Sequence, residues 1–146
     1  MMGAVAPEVT EKPVITAGFQ AAVTGAAYGT LIVLGAVLGV LGGFSHSWYV
    51  FDVPVAAIGW VLLLLAVPYG MGRLMGTRLA ALVPSVGWLA VSLGLAGQRP
   101  EGDLTIAADV SGYVYLYGCT VALVVAVLLV PSTGVSWLLR QNVRIK

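Results

Sequence analysis

The chain has 146 residues, 60% of them hydrophobic and only 9% charged, with a formal net charge of +1. A soluble domain carries roughly 25% charged residues, so the composition argues for an integral membrane protein built as one compact unit. No basic stripe offers itself to phosphates, which argues against nucleic acid as a partner. With one cysteine (Cys119) and one histidine (His46), the chain has no intrachain disulfide, CxxC pair or zinc spacing, and no cofactor is expected.

Residues 1–16, MMGAVAPEVTEKPVIT, contain Pro7, Glu8, Glu11, Lys12 and Pro13 and show no apolar periodicity. They lack the basic start of a signal peptide, and the apolar run behind them is too long for one. A mostly disordered tail ending at the membrane surface is the expectation. Four uncharged apolar stretches follow, at about 17–42, 53–72, 79–97 and 112–130. A helix needs about 20 residues, each rising about 1.5 Å, to cross a hydrocarbon core of about 30 Å. Lipid gives the backbone no hydrogen-bonding partners, so each stretch predicts a transmembrane helix.

The first stretch is rich in glycine. Gly25 and Gly29 are four apart, as are Gly35 and Gly39. Small residues at this spacing form a flat strip that lets another helix approach closely, either within the same bundle or on a partner or second copy. The link that follows carries His46, expected at the surface, and Trp48, Tyr49 and Phe51, expected in the headgroup zone. Asp52 is expected to cap the second helix. Pro68 and Pro84 fall near the ends of the second and third stretches, where a missing N–H is tolerated.

Beyond the third stretch comes GQRPEGD, the densest charge in the chain. Gly97 suits a left-handed helix end, and Arg99-Pro100-Glu101-Gly102 suits a type I turn. Asp109 or Ser111 would cap the fourth helix. The turn does not require the charges of Arg99, Glu101 and Asp103, which makes these three the candidate recognition residues. Tyr113, Tyr115 and Tyr117 open the fourth stretch and read as an aromatic belt; a ligand-stacking platform is disfavoured because Tyr115 points away from the other two on a helix. Cys119 lies in apolar surroundings. The tail 132–146, with Trp137, Leu138, Leu139 and Val143 among Arg140, Arg144 and Lys146, suits a short helix in the membrane interface, or alternatively a partner-binding segment.

Orientation follows from the basic residues. In a four-span topology Lys12, Arg73, Arg78, Arg140, Arg144 and Lys146 fall on one side, leaving Arg99 on the other. The positive-inside rule then places both termini in the cytoplasm. No ionisable residue lies at mid-membrane depth, which argues against a coupled transporter. His46, Asp52, Glu101, Asp103 and Asp109 supply ionisable groups on the opposite side, but no hydrolase, metalloprotease or phosphate-binding motif accompanies them.

The stretches GWLAVSLGLAGQRPEGDL and GYVYLYG resemble a family of small actinobacterial four-helix membrane proteins with no assigned function. Trp88, Arg99, Pro100, Glu101, Gly102, Asp103 and Tyr115 carry the likeness. The third and fourth helices match by motif, the first two by hydropathy and glycine content. The resemblance implies a plasma-membrane protein and no particular activity.

The expected fold is thus all-α, a bundle of four transmembrane helices running up-down-up-down. The expected function is non-enzymatic: a small accessory or scaffold protein that meets another membrane protein or a homo-oligomer partner and presents residues 98–109 outside the cell. The alternative is a small pore or carrier for an apolar or lipid-like solute. A membrane enzyme using carboxylates of the outer face ranks behind both.

Overall fold

The computed structural model describes residues 3, 17–97, 100, 102 and 104–131. The expected tails at 1–16 and 132–146 lie, apart from Gly3, outside these residues. Among the described residues there are four long helices: α1 (Ala17–Ser45), α2 (Val55–Met75), α3 (Arg78–Ala96) and α4 (Val110–Leu129). All four are long and apolar enough to cross a membrane. Large apolar side chains such as Val33, Leu62, Leu93 and Val121 stand exposed on each of them, as surfaces facing lipid rather than water do.

Local chemistry sets the helix ends. Helix α2 stops at Gly76, whose φ of 67° is left-handed and whose N–H reaches the Gly72 carbonyl. The Thr77 hydroxyl then accepts from the Ala80 N–H at 3.2 Å and starts α3. Two residues therefore suffice to reverse the chain. Asp109 caps α4 by accepting from the Gly112 N–H at 2.8 Å.

Two expected ends differ. Gly97 is extended (φ −67°, ψ 141°) rather than left-handed, because its N–H already meets the Leu93 carbonyl without a reversal. Asp52 does not cap α2; Pro54 occupies that position without a side-chain cap, and Asp52 sits inside a tight turn instead. Helix α1 continues past Gly42 to Ser45, since Gly42 and Gly43 are packed against Tyr115 and Leu95 rather than ending the helix.

Helix α1 lies along α3, and glycine brings the two backbones together. A Cβ on Gly35 would collide with the Pro84 carbonyl, and one on Gly87 with the Ile32 carbonyl. Helix α2 packs on α4 and α3. The core joins Ala57 and Leu64 of α2, Trp88 of α3, Tyr115, Cys119 and Leu123 of α4, and Ile106 from the connection before α4. Helix α4 contains a π-helical turn at Val114–Gly118. Such a turn takes one more residue than an α-turn and shifts which side chains face inward.

Candidate functional site

Three buried polar side chains, His46, Ser92 and Ser111, gather where α1 ends and α4 begins. Tyr115 stands on the π-helical turn and is completely buried. The belt reading therefore fails for this tyrosine: with Tyr113 and Tyr117 stacked on each other at 6.0 Å on the exposed side, Tyr115 has only the interior to enter. Its hydroxyl accepts from the Trp88 indole N–H at 2.9 Å and donates toward the Gly39 carbonyl at 3.4 Å, with the Ser92 hydroxyl at 3.5 Å. Gly42 completes the cradle, because any Cβ there would meet the tyrosine ring. One side chain of α4 is thus tied to α1 and α3 together.

His46 is also interior, with 2% of its surface exposed, rather than at the surface. It extends α1 by a backbone bond to the Gly42 carbonyl and stacks on the Tyr115 ring at 5.2 Å. Its Nδ1 lies 2.8 Å from the Gly43 carbonyl. A carbonyl can only accept, so Nδ1 carries a proton and faces it, while Nε2 lies on the far edge of the ring. That atom is buried with no hydrogen-bonding partner among the described residues. Among the described residues no three histidine, cysteine or acidic side chains converge to hold a metal.

Above this centre, the Tyr49 hydroxyl donates to the Asp109 carboxylate at 3.3 Å and accepts from the Ser111 N–H at 3.0 Å. Tyr49 thereby fastens the α1–α2 link to the start of α4. The Gly112 N–H holds the exposed Asp109 carboxyl below its ordinary value of 3.8, helped by the Ser111 and Tyr49 hydroxyls and by His46, with desolvation opposing.

Between Tyr49 and α2 the chain makes a two-residue turn. Val50 and Val53 exchange both backbone hydrogen bonds, at 3.0 and 3.1 Å, and Phe51 and Asp52 have φ of 49° and 64°. This is the conformation that glycine and asparagine favour, and for a residue as bulky as phenylalanine it is an outlier. Phe51 is 96% exposed at the tip, and Trp48 beside it is 75% exposed. The aromatic content of the link is plain in the sequence. The strain is not, since nothing in VFDV marks a turn of this type.

Arg99, Glu101 and Asp103 lie outside the described residues. Between them Gly102 has φ 79°, a value that suits only glycine, and Ile106 buries itself in the core beyond. The four glycines of α1 divide. Gly35 and Gly39 face α3, the latter against Trp88 and Val91, whereas nothing comes within 4 Å of a Cβ placed on Gly25 or Gly29.

Four apolar helices closed around a buried tyrosine–tryptophan centre define a multi-pass membrane protein. The chain belongs to a family of unknown function (DUF6113), whose profile matches residues 13–137 and so takes in all four helices. No curated protein and no solved structure matches it.

Proposed function

We propose that the chain is a small accessory or scaffold protein of the actinobacterial plasma membrane. In this reading the helices run up-down-up-down, both termini are cytoplasmic, and the end holding the α1–α2 turn and residues 98–109 faces outside. The distribution of basic residues supports the orientation. The observation that carries the function is Phe51, a bulky apolar side chain held at positive φ and almost fully exposed. Such a conformation costs about 1–2 kcal/mol, and strain of this kind concentrates where a surface must be presented in a fixed shape. Trp48 and Phe51 supply apolar contact, and Arg99, Glu101 and Asp103 supply charge for a partner protein.

Replacing Phe51 by Asn tests the proposal, because asparagine tolerates the left-handed region and removes the ring. Affinity purification of the full chain in mild detergent should recover a stoichiometric partner that Phe51→Asn loses, while the unfolding midpoint stays the same or rises. Equal recovery with both proteins, or a wild-type chain that purifies alone in several detergents, refutes the proposal.

A further inference from the structure

The seam between α3 and α4 carries a feature that the proposed function leaves unused. The two helices leave a groove of about 220 Å³ between them. Leu82, Val86 and Leu89 line one side and Val124, Val127 and Leu128 the other, with Leu123 buried at its floor. Two hydroxyls also border it, but both point back into their own helices. Ser85 donates to the Ala81 carbonyl at 2.7 Å and Thr120 to the Leu116 carbonyl at 2.7 Å. The walls are thus chemically hydrocarbon. A closed apolar cavity of ~150 Å³ already takes a benzene-sized guest in preference to water.

At the end where α3 begins and α4 stops, the groove meets a cation. Arg78 is four residues before Leu82, which puts it on the same face of α3 one turn nearer the helix start. Its side chain crosses the seam: Nε donates to the Val130 carbonyl at 3.0 Å. That carbonyl closes α4, where a helix end attracts positive charge. The Nε bond is the one hydrogen bond of Arg78 among the described residues; it orients the guanidinium and leaves the terminal nitrogens without an acceptor from those residues. The planar fork suits the oxygens of a phosphate.

We propose that the α3–α4 seam binds one anionic phospholipid, an acyl chain lying along the groove and the phosphate resting on Arg78. The charge and the groove select the occupant together. An apolar helix would fill the groove but leave the guanidinium unused, and a soluble phosphate would use the guanidinium but leave the groove empty. The site stands on the opposite end of the bundle from Phe51, so its failure would not touch the proposed function, nor the reverse.

Native mass spectrometry of the full chain, purified in detergent and titrated with phosphatidylglycerol or phosphatidylcholine, tests the proposal. One phosphatidylglycerol should bind per chain, about five-fold more tightly than phosphatidylcholine, as expected for one interfacial arginine. Arg78→Gln should abolish that preference, while Arg73→Gln, at the same end but on α2, should preserve it. Leu82→Trp and Val124→Trp fill the groove from its two walls and should each remove the one-to-one complex with either lipid. Both positions are exposed, so the larger ring can be accommodated without disturbing the core. Equal losses from the two arginine substitutions would mean diffuse surface charge, and unchanged binding in both tryptophan variants would place the chain elsewhere. A dimer broken by the tryptophan variants would assign the groove to a second copy. Each of these three results overturns the proposal.

Discussion

At the scale of single residues, Tyr115 holds the most contacts of different kinds. It receives the Trp88 N–H, approaches Ser92 and Gly39, and supports the His46 ring. Replacing it by Phe keeps the shape but leaves the Trp88 N–H buried without an acceptor. The expected loss is about 1–2 kcal/mol, seen as a lower unfolding midpoint in detergent. Asp109 gives a second prediction, this time in pH. Its folded-state pKa is depressed, chiefly by the Gly112 N–H, so its cap stabilises the fold above the ordinary carboxylate range. That stabilisation falls away as pH drops below the ordinary 3.8 toward and through the lower folded value. The unfolding midpoint of Asp109→Asn should therefore vary less across that window, between about pH 5 and about pH 2, than the wild type does. The cap at Asp109 could be read from its place before an apolar stretch. The inward Tyr115 was half legible: the spacing separates it from Tyr113 and Tyr117, but membrane interfaces also favour tyrosine, and composition does not choose between the two roles.

At the scale of the helix, glycine acts differently along α1. At Gly35 the neighbour of an added Cβ is the Pro84 backbone, which cannot rotate away as a side chain could. Gly35→Ala should cost about 1–3 kcal/mol by separating α1 from α3. Gly25→Ala meets nothing among the described residues and should gain about 0.5–1 kcal/mol from helix propensity alone. Comparing the two unfolding midpoints checks the assignment. Identical spacing in the sequence produces these opposite expectations, because spacing reports a flat strip but not which part of it is covered. The π-helical turn in α4 was not legible at all. Its wide turn is held by the fit of Tyr115 into the Gly39–Gly42 cradle, a contact across more than seventy residues of chain.

At the scale of the whole molecule, the seven basic residues and the four helices jointly predict how the protein sits in its membrane. A cysteine at Glu101 should react with an impermeant thiol reagent in whole cells, whereas one at Arg78 should react only after the membrane is opened. Cys119, the sole native thiol, is fully buried and should contribute little background. Labelling of both positions from outside would contradict the positive-inside assignment. The sequence by itself determined that the chain carries four helices long and apolar enough to cross a membrane, because hydrocarbon forces backbone groups to pair within a segment and makes any charge there costly. It did not determine which faces meet. All four helices are apolar on every side, so periodicity carries no inside–outside signal. Only the tertiary structure placed Gly35 against Pro84, turned Tyr115 and His46 inward and opened a groove beside Arg78, since these follow from shape fit between distant segments rather than from hydrophobicity.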